Sequence, residues 1–276
     1  MRVCLFLSFL FATTVFASVN QKLPNNHLSY YSAEFYQAYP KGITKEYLFQ
    51  ILDGNHRNGT DGYDDISHEC SKGSCYSHEV LGYSGARKVL FGKIYIEKDQ
   101  SGTFVQDVYC GKKFYFRDVN EALAMHDRVN TEHTWPQSKF SSSFNKDMQK
   151  SDLHHLYPTD SKANSQRGNY RFGDVSASED ELSVEDCSGS RLAKHQDIHF
   201  APPVEHRGNV ARSMFYFSTR YKMQISQVEE IILRQWHILD PVDEEEKANH
   251  EIIAQFQKVR NPFIDFPDLV NVIKDF

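Results

Sequence analysis

Between Thr131 and Phe172 apolar residues thin out and hydrogen-bonding side chains crowd together: Glu132, His133, Asp152, His154, His155, Asp160, Asn164, Arg167, Asn169 and Arg171. No other stretch restricts the fold as much, because its turn and cap residues leave few arrangements open. "TEHTWPQSKF", residues 131 to 140, reads as a strand cut short by Pro136. "SDLHHLYP", residues 151 to 158, alternates as a second short strand, with Leu153, His155 and Tyr157 on one side and Pro158 as its end. "TDSKANSQRGNYRF" then offers Thr159 or Asp160 as a cap, a few helical turns, and Gly168 near the stop.

Strand with a Glu-His pair, loop, strand, helix carrying an asparagine: this is the order of a ββα-metal motif. Such a motif suits phosphodiester hydrolysis, which needs a divalent cation at the scissile phosphate and a base to take a proton from water. Mg²⁺ prefers oxygen ligands and keeps several waters, so one or two protein groups suffice. Glu132 offers a carboxylate and Asn164 an amide oxygen, while His133 has the unperturbed pKa that suits a base near neutral pH. Asn164 shares a helical face with Asp160 and lies near Arg167, the first choice for a phosphate contact; Asn169 points elsewhere and satisfies the helix end. Adjacent residues of a regular strand face opposite ways, so a shared role for Glu132 and His133 requires the strand to stop or bulge there. An irregular backbone at residues 132 to 134 is therefore expected.

The formal net charge is -6, so the molecule as a whole does not attract polyanions. Lys139, Lys146, Lys150, Lys162, Arg167 and Arg171 nevertheless outnumber Asp147, Asp152 and Asp160 around the motif, a local basic patch fit for phosphates. Residues 1–17 read as a secretory signal peptide, with Arg2, the apolar run Val3 to Ala12, and Val15-Phe16-Ala17 before Ser18. No later run reaches the roughly 18 apolar residues of a membrane span. The expectation is an exported monomer, secreted or periplasmic, with residues 18–276 as one domain. Export leaves Cys70, Cys75, Cys110 and Cys187, for which three pairings exist; Cys70 with Cys75 across "SKGS" and Cys110 with Cys187 are favoured over a four-thiolate metal site.

Elsewhere the periods are ordinary. "TKEYLFQILDG" reads as a helix capped by Thr44 and stopped by Gly54, and "ISQVEEIILRQWHIL" as a helix capped by Ser226 with Val228, Ile232 and Trp236 on one face. Asp243 caps a helix whose glutamates precede a stripe of Ala248, Ile252, Phe256 and Val259; this explains the acidic run better than a cation site does. "KVLFGKIYIEK" and "TFVQDVYCGKKFYF" read as strands. The fold class is α+β, a ββα-metal core embedded in a mixed helix and strand single domain.

"EHTWPQS" resembles the "EHVWPKS" or "EHVVPA" signature of the secreted and periplasmic endonuclease I family, and "DLHHLYPTDSKANSQRGNYRFG" resembles its "DLHNLVPAxxxxNxxRxNxxFG" stretch. "LFG", "DVYC", "VARSMFYFSTRY" and "NPFIDFP" extend the likeness. The resemblance implies that Glu132 and Asn164 bind Mg²⁺, with Mn²⁺ or Ca²⁺ as substitutes, and that His133 is the general base. It implies sequence-non-specific cleavage of DNA, and often RNA, through backbone contacts, leaving 5′-phosphate ends. Some members carry a transition-state arginine in a cysteine-containing insertion; "KFSSSFNKDMQK" here has neither residue type, so that role falls to Arg167, with Lys146 and Lys150 behind it. Two rivals are weighed. A zinc centre on His133, His154 and His155 lacks the HExxH spacing, and a nucleic-acid-binding protein without cleavage has no need of Glu132, His133 and Asn164 together. A second Glu-His pair, Glu205-His206, reads as structural.

Overall fold

The computed structural model describes residues 27–71, 73–176, 182–194 and 197–276; the expected leader lies outside them. Two helices, α1 (Ala33–Ala38) and α2 (Lys45–Asp53), come first, α2 being capped by the Thr44 hydroxyl and burying Leu48, Ile51 and Leu52. The hairpin β1 (Asn55–Asn58) and β2 (Asp64–Ser67) follows. Helix α3 (Gly82–Val89) runs into a π turn over Leu90–Ile94, and β3 (Glu97–Asp99), β4 (Gly102–Gln106) and β5 (Lys113–Phe116) form an antiparallel sheet. Helix α4 (Val119–Ala124) leads to β6 (Val129–His133), which pairs antiparallel with β7 (Leu156–Asp160) across α5 (Lys146–Ser151). Helix α6 (Ser161–Arg167) begins directly after β7, completing the ββα unit. A small sheet of β8 (Arg171–Phe172), β9 (Arg191–Ala193) and β10 (His199–Ala201) precedes the helices α7 (Arg207–Arg220), α8 (Gln227–Leu239), α9 (Glu244–Gln257), α10 (Pro262–Asp265) and α11 (Leu269–Val272). This is an α+β fold. Among the described residues no helix is long and apolar enough to cross a membrane.

The ββα unit is wedged between two apolar clusters. Val129 and Leu156 pack with Leu90, Phe91 and Val105, whereas Trp135, Ala163 and Phe172 join Phe215, Phe217 and Trp236. Helix α7 is buried on nearly every side, as a helix through the centre must be. A polar knot fixes its position against the site. Asp152, fully buried, accepts hydrogen bonds from Tyr216 Oη (3.0 Å) and Tyr221 Oη (2.7 Å) of the α7 end and from Gln257 Nε2 (2.7 Å) of α9. Both expected disulfides, Cys70–Cys75 and Cys110–Cys187, are present.

Four local expectations fail, each for a definable reason. "KVLFGKI" is helical: buried Ala86, Leu90 and Ile94 recur every four residues, and that period prevails over β-branched content. In "SDLHHLYP" the Asp152 carboxylate caps a 3₁₀ turn at Leu153–His155, so the strand starts only at Leu156. Pro158 lies inside β7 rather than ending it; its carbonyl accepts from Val108 N (3.0 Å), which puts the missing N–H on the side away from β6. Two helices depart from their expected faces at the first stripe residue only, since Ile232 and Trp236 of α8 and Ile252 and Phe256 of α9 do pack inward. Val228 is exposed while α8 buries Glu229, Leu233 and Trp236; Ala248 is exposed while α9 buries Glu246, His250 and Ile253, Glu246 being drawn inward by Arg212 (2.6 Å).

Candidate active site

The ladder between β6 and β7 runs without a bulge, pairing Glu132 with Tyr157 and His133 with Leu156, and Thr134 N extends it to His155 O (3.0 Å). The expected irregularity at residues 132 to 134 is absent. Glu132 and His133 keep the opposite directions of a regular strand, yet both border one cleft of about 340 Å³, because the cleft wraps around the end of β6. Asn164, Arg167 and Asn169 line it from the α6 side, and Pro136, Gln137 and Ser138 from the turn that follows β6. A kink is unnecessary where a strand ends.

Glu132 is buried (1 % exposed). Its Oε1 accepts from Tyr109 Oη (2.8 Å) and lies 3.3 Å from Arg167 Nε, an ion pair by distance that is not aligned as a hydrogen bond. Burial pushes the carboxyl pKa up, and Arg167 and Tyr109 oppose that rise. Tyr109 is held in its turn: Asp107 Oδ1 accepts from Tyr109 N, Ser190 Oγ donates to Tyr109 O, and the Cys110–Cys187 bridge begins at the next residue.

His133 sits on the other side of the strand. Its Nε2 is 3.1 Å from Lys150 O, so that nitrogen carries the proton and donates, leaving the Nδ1 lone pair to face Gln137 Nε2 at 3.3 Å. Burial pulls the imidazole pKa down to about 3, and the nearby His155 ring and Lys150 ammonium add to the effect. The ring is therefore neutral near pH 7, with an acceptor nitrogen at the cleft.

On α6, Asp160 accepts from Lys162 N and Ala163 N as the N-cap, and Gly168, at φ 58°, closes the helix by donating to Asn164 O. Asn164 Nδ2 lies at the limit of a hydrogen bond to Thr131 O (3.5 Å), which leaves Oδ1 as the amide's acceptor toward the cleft. Arg167 borders the cleft beside Asn164, as expected, but its guanidinium is turned inward. It is buried (1 % exposed), donates to Thr134 O (2.7 Å) and Gly168 O (3.1 Å), and lies over the Phe172 ring (4.6 Å). Its guanidinium is committed to Glu132 and to the end of β6.

His154 and His155 are turned from the cleft, donating from Nε2 to Val259 O (3.0 Å) and Gln149 O (2.8 Å). Among the described residues no group of three or more His, Cys, Asp and Glu is placed to hold a metal ion. Glu205 and His206 belong to a 3₁₀ turn ahead of α7. They border a separate cavity of about 400 Å³ with Glu97, Asp243 and Glu245 and without any Lys or Arg, surroundings that repel phosphate. Tyr109, Gln137 and Tyr83, which also borders the cleft, were not singled out as site residues in the sequence, although Tyr109 lies in "DVYC" and Gln137 in "EHTWPQS", both within the family likeness.

The model of the endonuclease I family matches residues 44–268. The chain belongs to the endonuclease I family. It is 30% identical over 167 residues to the extracellular ribonuclease of Bacillus subtilis (strain 168), covering 52% of this chain and 53% of that protein. To the extracellular deoxyribonuclease of Aeromonas hydrophila it is 27% identical over 126 residues, 45% of this chain and 52% of the relative. A broader and weaker likeness, 22% identity over 231 residues, covers 69% of this chain and 89% of endonuclease-1 of Buchnera aphidicola subsp. Acyrthosiphon pisum (strain APS). The matched regions span about half the length of the two extracellular relatives. The endonuclease I match encloses the whole cleft, from Tyr83 through Asn169.

Proposed function

We propose that the chain is an exported, Mg²⁺-dependent endonuclease that hydrolyses phosphodiester bonds of DNA, and of RNA as a second substrate, with little regard to sequence and with 5′-phosphate products. The observation that carries this reading is the meeting of Glu132, His133 and Asn164 around one cleft, with His133 already in the tautomer a base requires. Membership of the family and the nuclease names of the relatives support it.

The donor set fits a hard divalent ion. A buried carboxylate whose charge is only partly offset by Arg167 stands near an amide oxygen, and two protein ligands leave room for waters and a phosphate oxygen. Mn²⁺ or Ca²⁺ would take the same ligands. When bound, the ion supplies charge neutralisation at the phosphate and at the departing oxygen. Glu132 and Asn164 hold it. Tyr109 and Arg167 keep Glu132 ionised and aimed. His133 accepts the proton of the attacking water at Nδ1 while Lys150 O retains the proton on Nε2, and Gln137 must yield that lone pair to the water. Binding to the polymer falls to backbone phosphates, since no groove-reading element is present among the described residues.

Supercoiled plasmid incubated with Mg²⁺ is expected to be nicked, with EDTA abolishing the reaction. His133→Ala is expected to lose cleavage while keeping its melting temperature and its affinity for DNA. Binding without nicking in either buffer would leave only a nucleic-acid-binding protein.

A further inference from the structure

We propose that Lys150 is the cation that meets the scissile phosphate, presented to it across the ring of Tyr83; this rests on the nuclease reading above. Negative charge on the non-bridging oxygens of a phosphate under attack needs a positive group in addition to the ion that holds the leaving side. The cations near the cleft differ in whether they are free to provide it. Arg167 would have to abandon two backbone carbonyls and Glu132, all in a buried setting. Arg171 is paired with Asp197, and Lys112 with Asp160. Lys139, Lys146 and Lys162 are exposed and do not border the cleft, which suits them to drawing the polymer in rather than touching the reacting group.

Lys150 does not line the cleft itself, but it is half-buried and its ammonium rests on Tyr83, which does. It lies in the last turn of α5, whose position is fixed by Gln149: that buried amide accepts from Ser141 N and donates to Ser141 O and Phe144 O. The Lys150 carbonyl accepts from His133 Nε2, so the backbone of this residue stands against the base. Its Nζ lies 4.4 Å from the centroid of Tyr83, and that ring is 5.7 Å from the ring of His133 and borders the cleft. Among the described residues no carboxylate is paired with this ammonium. A ring face is a weak partner compared with a phosphate: it keeps the chain from wandering into solvent and releases it to a stronger anion. Arg87, the other cation near Tyr83 at 5.9 Å, donates to Leu123 O and is turned to that carbonyl. One residue thereby holds the base by its backbone and delivers charge by its side chain.

The test compares the full chain with Lys150→Met, Lys150→Arg, Tyr83→Phe and Tyr83→Leu on plasmid DNA at saturating Mg²⁺. Lys150→Met is expected to lower kcat about 100- to 1,000-fold, the usual loss for one donor to developing charge, with KM changed little. Lys150→Arg recovers most of the rate, Tyr83→Phe retains it, and Tyr83→Leu falls between. The slope of log kcat/KM against log salt falls by about one in Lys150→Met, as for a lost phosphate contact. A wild-type kcat in Lys150→Met, or a loss confined to KM, overturns the assignment while leaving the nuclease reading intact. A wild-type chain that nicks nothing with Mg²⁺, Mn²⁺ or Ca²⁺ removes both.

Discussion

A carboxylate shut away from water as Glu132 is keeps its charge only while donors or cations stay beside it. Tyr109 supplies a hydroxyl and Arg167, which borders the cleft, a guanidinium. Outer partners of this kind commonly govern ligand affinity by ten- to a hundred-fold. Tyr109→Phe is accordingly expected to raise the Mg²⁺ concentration for half-maximal cleavage by about ten-fold or more, and to cost about 1–3 kcal/mol in urea unfolding, because Oε1 loses its donor. A magnesium titration superimposable on that of the parent would show that the hydroxyl does not position the ligand. That Glu132, His133 and Asn164 belong together was legible from residue chemistry and spacing, and the three border one cleft. Their neighbours were not, because Tyr109 and Tyr83 come to Glu132 and His133 from other elements, and nothing beside either tyrosine in the sequence marks that contact.

Short elements set the geometry, and their ends are where chemistry is most exposed to change. Asp160 and Ser226 are both side-chain N-caps, of α6 and α8. Replacement of either by Ala is expected to lower stability by about 1 kcal/mol. Only Asp160→Ala should also weaken magnesium dependence, since α6 carries Asn164 and Asp160 additionally pairs with Lys112 (3.1 Å). Equal effects of both variants on the magnesium titration would separate α6 from metal binding. The caps at Thr44, Ser226 and Asp243 were readable, and that of α6 was narrowed to Thr159 or Asp160, because capping is local to a side chain and the next turn. The faces of α8 and α9 were less so. Glu229 accepts from Phe172 N, and Glu246 from Arg212, so partners far along the chain draw charged residues inward and leave Val228 and Ala248 outside.

Across the whole molecule, burial keeps several imidazoles neutral. His154 and His206 are pulled down to about 3 and His155 to about 4, each chiefly by desolvation. The unfolded chain binds a proton on each near pH 6.5, whereas the folded chain resists until pH 4 or below, so stability is complete above about 6.5 and falls as the pH drops toward 4. Urea midpoints are expected to decline over that interval, with proton uptake on unfolding at about pH 5 approaching one per histidine. A midpoint constant from pH 7 to 4.5 would mean that these rings find charged partners on unfolding or in the fold. Cys110–Cys187, which closes a separation of 77 residues beside Tyr109, is expected to contribute about 4 kcal/mol, measured as the shift in urea midpoint of Cys110→Ser/Cys187→Ser.

The knot at Asp152 has a bearing on how the chain matures on the ribosome. A nascent chain that has just emerged through α6 already contains Glu132, His133, Lys150 and Asn164, but the hydroxyls and the amide that grip Asp152 arrive 64, 69 and 105 positions after it. Such distant closures form late. Truncated copies ending before α9 therefore carry Glu132, His133, Lys150, Asn164 and both tyrosines but lack the Gln257 amide, so the knot closes only once α9 has been translated.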